Sequence, residues 1–489
     1  MKVIRMLGFV LLALACCSIA IAQEPFTAGT WTRVTPSSTP IAAGHPQLLT
    51  DGSVLILSNT CNATGSWYRL IPDSHGNYVT GTWSPAGNLP TGYNPLYFAS
   101  QTLPNGWVGV IGGEYNGCSA VWTTLGAAYN PATNKWVSAP APTGWTSVGD
   151  AQSAILPNGK LMIANCCTTQ EAILTSTSPI TWTATGTGKL DWNDEEGWTQ
   201  LPGGKILTVD AYVNLGCCAM GYQIYDSATG TWTTPSNNTV VNLVDPGSRE
   251  LGPGPLLPNG TVFYGGATTN NAIYTLATGT WAAAPSFGGT PALDMADAPA
   301  AVLPDGNALL DTSPGIFGVG SKFFEWDGSA LHAVPGPPNA SSDSSYYGNF
   351  LVLPNGQILF TDFSNDVEVY TPAGSPCAGC APAITAVATT LTHGSKNNGI
   401  KGKQFNGMNQ GAYYGDDSQN DTNFPLVRIT DSAGHVVYCK THNWLGGVQT
   451  GATIRTAQFD IPSTIALGAG SLQVVANGIA SNAVTVTIN

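Results

Sequence analysis

One turn recurs seven times along the chain, and its spacing limits the open folds more than any other feature. It reads "LLTDGSVLIL" at Gly52, "LPNGWVGVIGG" at Gly106, "LPNGKLMIAN" at Gly159, "LPGGKILTVD" at Gly204, "LPNGTVFYGG" at Gly260, "LPDGNALLDT" at Gly306 and "LPNGQILFTD" at Gly356. Successive glycines stand 54, 53, 45, 56, 46 and 50 residues apart, a period that belongs to propeller blades. Proline presets φ at the first corner, Asn or Asp tolerates the second, and Gly accepts a positive φ where the next strand begins. Each copy is therefore predicted to join two strands. Further on, a Tyr stands seven residues before a Trp in Tyr129/Trp136, Tyr225/Trp232 and Tyr274/Trp281. In "YDSATGTW" and "YTLATGTW" the pair flanks an Ala-Thr-Gly turn, which supplies a third and a fourth strand.

The seventh unit ends at "VEVYTP" without its "GTW", whereas "AGTWTRV" at 28–34 precedes the first turn and leaves Trp31 to spare. An N-terminal strand that completes the last blade removes both free edges. The expected fold is all-β, a seven-bladed propeller over 23–375. A Pro/Gly/Ala linker, "PCAGCAP", follows at 376–382. From 383 to 489 the turn motif is gone, and short alternating strands such as "PLVRITDSAGHVVYC" predict an immunoglobulin-like sandwich.

Lys2 and Arg5 precede an apolar run to Ile19, and "AIAQ" offers a cleavage site after Ala22, so residues 1–22 read as an export signal. A secreted or periplasmic monomer is expected, with no membrane span. Without those two cations the formal charge falls from −13 to −15, which argues against nucleic acid as a partner.

Counting nine residues back from each turn glycine gives Ala43, Tyr97, Asp150, Glu195, Leu251, Asp297 and Tyr347. In a propeller one offset on the inner strands maps to one ring around the channel. Tyr97, Asp150, Glu195, Asp297 and Tyr347 are thus channel-mouth candidates, together with their sequence neighbours Glu196 and Tyr346 and with Glu250 and Asp294 close by. Clustered acids suit a cation, calcium among them, or an amine- or hydroxyl-rich ligand. Asp416 and Asp417 in "YYGDD" form a second calcium candidate with weaker spacing. Cys61, Cys118, Cys166, Cys167, Cys217 and Cys218 all fall 7 to 14 residues after a turn glycine, so bridges between adjacent blades or between sequence neighbours are expected, with connectivity open. Cys377 and Cys380 are expected to bridge at the linker. Cys439 reads as a buried thiol.

The double glycines Gly112-Gly113 and Gly265-Gly266, with the spaced Tyr and Trp, resemble the kelch repeat. The stretch from Asn406 to Trp444, "NGMNQGAYYGDDSQNDTNFPLVRITDSAGHVVYCKTHNW", resembles the early-set domain that follows the propeller in galactose-oxidase-like proteins. That resemblance implies copper. Tyr346 stands where the axial tyrosine ligand would be, and His442 in "KTHNW" where the C-terminal histidine would be. Tyr347 occupies the place of the other histidine, and Tyr97 and Asp150 those of the crosslinked Cys and Tyr. The preferred reading is an exported propeller that binds a carbohydrate or a cell-surface component, without an intact copper-radical site. The alternatives are a divergent copper-dependent oxidoreductase acting on alcohols, aldehydes or sugars, and a structural or adhesive surface protein.

Overall fold

The computed structural model describes residues 26–36, 41–58, 65–212, 220–414, 420–448 and 451–489. The fold is all-β, and among the described residues the one helical element is the 3-10 turn Ser345–Tyr347. None of their helices is long and apolar enough to cross a membrane.

The repeated turns close as their residue types dictate. At Gly106 the N–H donates to Leu103 O (2.8 Å) and the N–H of Leu103 to Trp107 O (2.7 Å). All seven turn glycines have φ between 77° and 98°, where an L side chain is strained. The Asn or Asp ahead of the glycine has its own task. Its Oδ1 accepts the N–H two residues on: Asn105 from Trp107 (2.9 Å), Asn158 from Lys160 (3.0 Å) and Asp305 from Asn307 (3.0 Å).

These turns string together antiparallel meanders. The first holds Ala43–Leu48, Val54–Ser58, Ser66–Ile71 and Thr82–Asn88; the second Ala99–Thr102, Val108–Ile111, Gly126–Asn130 and Lys135–Ser138. The third holds Ser153–Ile155, Leu161–Ala164, Glu171–Thr177 and Ile180–Thr185; the fourth Thr199–Leu201, Lys205–Val209, Tyr222–Asp226 and Thr231–Thr233. The fifth has Thr261–Tyr264, Asn271–Thr275 and Thr280–Ala284, its inner edge reduced to a bridge between Leu256 and Val262. The sixth holds Pro299–Val302, Ala308–Pro314, Lys322–Trp326 and Leu331–Val334. The seventh joins Asn349–Val352, Ile358–Thr361 and Glu368–Thr371 to the N-terminal strand Thr30–Arg33.

The spaced Tyr and Trp are direct cross-strand partners, with ring centroids 5.2, 5.3 and 5.1 Å apart at Tyr129/Trp136, Tyr225/Trp232 and Tyr274/Trp281. In the seventh sheet Trp31 takes the same place opposite Tyr370, at 4.9 Å. Side chains staple neighbouring sheets together. Thr102 Oγ1 donates to Leu48 O (2.7 Å), Gln101 Nε2 to Ser153 O (3.1 Å), Thr199 Oγ1 to Gly254 O (2.7 Å) and Thr361 Oγ1 to Gly44 O (2.8 Å). That is why fully buried positions near the axis carry Gln and Thr: each has a partner.

Two further sheets follow. One orders Ala383–Val387, Asn398–Lys403, Ile454–Phe459 and Thr441–His442; the other Thr390–Leu391, Val484–Ile488, Gly468–Ala476, Leu426–Thr430 and Val436–Cys439. Their buried residues include Leu391, Ile400, Phe459, Leu472, Val474 and Val486. This part packs on the end of the channel that bears the repeated turns: Thr441 N–H donates to Thr50 O (3.2 Å) and Asn443 N–H to Pro104 O (2.6 Å). One of its segments goes further in. The strand Ala412–Tyr414 pairs with Pro299–Val302 of the sixth sheet, Tyr414 opposite Pro299 and Ala412 opposite Ala301. Flanking it, Gln410 Oε1 accepts from Gln200 N–H (3.0 Å) and Asn420 Nδ2 donates to Phe350 O (2.7 Å).

Cys166 and Cys167 are bonded to each other, as are Cys377 and Cys380. Cys118 is disulfide-bonded, and Cys439 is a buried free thiol. Cys61, Cys217, Cys218, Asp416 and Asp417 lie outside the described residues.

Candidate functional site at the channel mouth

The residues that precede the inner strands gather at the end of the channel opposite the repeated turns. Three of the ring positions are left-handed without being glycine: Tyr97 (φ 51°), Glu195 (φ 59°) and Asp297 (φ 47°). Such a conformation costs about 1–2 kcal/mol per residue, and strain of this kind concentrates where a side chain must be aimed. A left-handed residue breaks the strand's alternation, so its side chain does not follow the pleat. At Tyr97 the carbonyl also accepts the N–H of Glu114 (2.9 Å), which draws that carboxylate into the same rim.

One arc of the mouth is acidic. Carboxylate oxygens of Glu195, Glu250 and Asp297 lie within 4.8 Å of one another, as do those of Asp150, Asp194 and Glu195. Asp150 and Glu250 are buried, while Asp194, Glu195 and Asp297 are half-buried. Burial, followed by the charges of Asp297 and Asp194, pushes Glu114 up to about 7. Burial and then the charge of Asp297 raise Glu250 well above the carboxylate range. Burial also raises Asp297, against the hydrogen bond it shares with Glu250. Asp194 stands beside the Cys166–Cys167 disulfide.

The other arc is aromatic. Phe317, Tyr346, Tyr347, Phe363, Tyr97 and Tyr115 form a chain of ring contacts, with successive centroids 5.1, 4.2, 6.3, 6.3 and 6.1 Å apart. Tyr346 and Tyr347 are therefore a 3-10 turn ahead of Asn349–Val352. Burial first, then the hydrogen bond and charge of Tyr347, raises the Tyr346 phenol above its ordinary value. Large rings also stand in solvent around the rim: Trp122, Trp192 and Phe317 are 42%, 45% and 38% exposed. Trp122 donates its N–H to Glu114 O (3.1 Å), and Trp192 faces Tyr212 at 5.8 Å, beneath the Arg249 guanidinium 5.7 Å from that ring.

Of the residues read from sequence, Tyr97, Asp150, Glu195, Asp297, Tyr346 and Tyr347 stand at the mouth. Two do not. Glu196 is fully buried, its carboxylate bound by Lys189 Nζ (2.9 Å) and by Thr208 Oγ1 (3.0 Å) in a separate cluster with Asp191 and Asp210. Its neighbour's left-handed turn sends the two carboxylates apart. His442 sits on the repeated-turn side, its Nε2 3.1 Å from Asp460 Oδ1, and the length of the inner strands separates it from Tyr346. Glu114, Asp194, Tyr115, Phe363, Trp122 and Trp192 were not singled out; the signals available were the double glycine before Glu114 and the adjacency of Asp194 to Glu195.

Copper of the kind implied by the resemblance does not fit these residues. Among the described residues, none of the four groupings that could hold a metal contains a histidine. His45 is buried against Ser100 Oγ (3.0 Å) and Gln47 Oε1 (3.1 Å), and burial lowers it to about 4.

No protein-family model matches the chain, and no curated protein matches it. Solved structures do. A fungal alcohol oxidase of the AA5 family, in complex with copper, aligns at 14% identity over 95% of this chain and 100% of its own, with a TM-score of 0.51. A streptogramin B lyase aligns at 10% identity over 71% of this chain and 98% of its own, with a TM-score of 0.47. The extracellular domain of a one-component system from B. thetaiotaomicron aligns at 12% identity over 77% of this chain and 45% of its own, also at 0.47. Only the first score carries an argument, and at 14% identity that argument concerns the fold. Fold and mouth together define a β-propeller protein, and its fold is galactose-oxidase-like.

Proposed function

We propose that this protein is an exported ligand-binding propeller whose mouth takes a carbohydrate, free or on a cell surface. The observation that carries the reading is the placing of Trp122, Trp192 and Phe317, exposed large rings around a rim of carboxylates. Exposed aromatic faces beside hydrogen-bond acceptors are what a sugar ring needs, an apolar face to stack on and partners for its hydroxyls. In this reading the seven meanders are seven kelch-type blades over 23–375, the two later sheets are an immunoglobulin-like early-set domain over 383–489, and residues 1–22 are removed on export.

Binding of residues 23–489 to a glycan array, followed by calorimetry with the best ligand, tests this. Trp122→Ala and Trp192→Ala are expected to weaken binding at least about tenfold, as rim anchors do, with unchanged melting temperature. Absence of glycan binding, or binding indifferent to both variants, overturns the proposal. No observation favours the copper-oxidase reading over this one, because the mouth brings no imidazole to Tyr346.

A further inference from the structure

The second and third sheets enclose a cavity, and the repeat itself shows what is missing there. Three residues after the turn glycine, on the strand that follows it, six sheets carry Leu55, Met162, Leu207, Phe263, Leu309 and Leu359. The second sheet has Gly109. Across the strand those six residues pair with Arg69, Ile173, Ile224, Ile273, Glu325 and Val369, whereas Gly109 pairs with Ala128. No backbone demand calls for glycine, since Gly109 lies inside Val108–Ile111 without a positive φ. A methyl at Gly109 would stand 3.9 Å from Leu161 Cδ2, an ordinary contact, and would meet no other described residue within 4 Å beyond its chain neighbours. The space left between the two sheets is about 310 Å³.

One wall is the cross-strand row Gly109, Ala128 and Val137, and the other is Leu161, Leu174 and Trp182 of the third sheet. Packed sheets lie about 10 Å apart, so a face trimmed to glycine and alanine leaves a slot about one ring thick. No charged side chain lines it, and its polar residues, Asn105, Thr177 and Ser178, are exposed and so stand at the rim. Beyond Asn105 and Thr177 the cavity continues into an open cleft bordered by Lys160 and Asn443, which gives a way in. An apolar cavity of about 150 Å³ already holds benzene, and this one reaches the lower end of the range for ligand pockets, about 300 Å³. We propose that the space between the second and third sheets binds a small, flat, uncharged aromatic molecule, its ring in the slot and any polar substituent at the rim. The indoles of Trp107 and Trp182, both lining residues, supply ring partners. A sugar does not suit the interior, where its hydroxyls would be buried without partners. The site is therefore separate from the mouth and does not rest on the carbohydrate reading.

The test is calorimetric titration of indole into residues 23–489, repeated on Gly109→Leu, which restores the side chain that most of the other sheets carry. The expected result is saturable binding at one indole per chain, weakened at least about tenfold in Gly109→Leu because the leucine occupies the slot. Without indole, that variant is expected to melt no lower than the parent, since it fills a void and removes a glycine from a strand. Loss of binding by damage to the fold would lower the melting temperature instead. Should Gly109→Leu fail to fold, Ala128→Val on the same wall replaces it. Trp122→Ala and Trp192→Ala are the controls for stacking at the mouth, and both are expected to leave indole binding unchanged. No saturation up to about 5 mM indole, weak even for a ligand of this size, overturns the inference. Binding that persists in the filled variant, or that disappears with Trp122 or Trp192, overturns it as well.

Discussion

Two adjacent glutamates show how far single residues can be read. Counting back from the turn glycine placed Glu195 and Glu196 at the right height, since register follows from the turn. It could not give their directions. The left-handed φ of 59° at Glu195 is not readable from "NDEEGW", because it is imposed by the surrounding structure and not by a glycine. One carboxylate therefore reaches the rim while the other binds Lys189 in the interior. The ammonium of Lys189 is opposed by its burial, yet the charges of Glu196 and Asp191 outweigh that effect and raise it above the ordinary lysine value. Removing one partner of a buried pair leaves uncompensated charge. Lys189→Met is expected to destabilise the protein by about 3–5 kcal/mol, read as a lower urea midpoint with an unchanged slope. A loss below about 1 kcal/mol would mean that the acids simply take up protons.

Among the elements, the closing strand was legible and the inserted strand was not. Trp31 announced Thr30–Arg33 because an unused member of a repeated Tyr/Trp pair needs a partner, and Tyr370 was the one left over. Trp31 also contacts Phe323 (5.5 Å) and Phe360 (5.6 Å), and its indole Nε1 donates to Pro335 O (2.7 Å). Trp31→Ala is expected to cost about 2 kcal/mol, less than a fully buried tryptophan would. Deleting residues 23–34 exposes the edge of Glu368–Thr371 and is expected to give species larger than those of the undeleted protein by light scattering, since an unpaired edge templates association. A monodisperse truncation would show that another segment covers that edge. By contrast, "AYYGDD" carries glycine and acids and reads as a turn. Ala412–Tyr414 becomes a strand because the sixth sheet offers it unpaired backbone groups on its inner edge, a tertiary demand that no local pattern records.

At the scale of the whole molecule the buried acids set the pH response. Burial leads the rise of Glu114 to about 7, Glu171 to about 8 and Glu368 to about 7. A carboxyl with a raised folded pKa keeps its proton longer in the folded state, so stability falls as pH climbs from about 4.5 through those values. Asp327, held near 2 with His332 as its first stabilising partner against burial, works the other way, and its contribution is lost as pH falls below about 4. The melting temperature in EDTA is expected to peak near pH 5 and to fall towards pH 8.5. A flat profile over that range would show that these acids ionise in the fold as they do in water. The strand at Ala412–Tyr414 has a last consequence, for assembly in time. The sixth sheet is not complete until a segment about a hundred residues further along the chain has been made and threaded in, and the seventh waits for the first strand to meet the three hundred and seventieth residue. Contacts this distant in sequence form late. A chain released before its final quarter exists would leave the inner edge of the sixth sheet bare to the channel, so the C-terminal part is less an appendage than a latch that reaches back into a ring its first strand has closed.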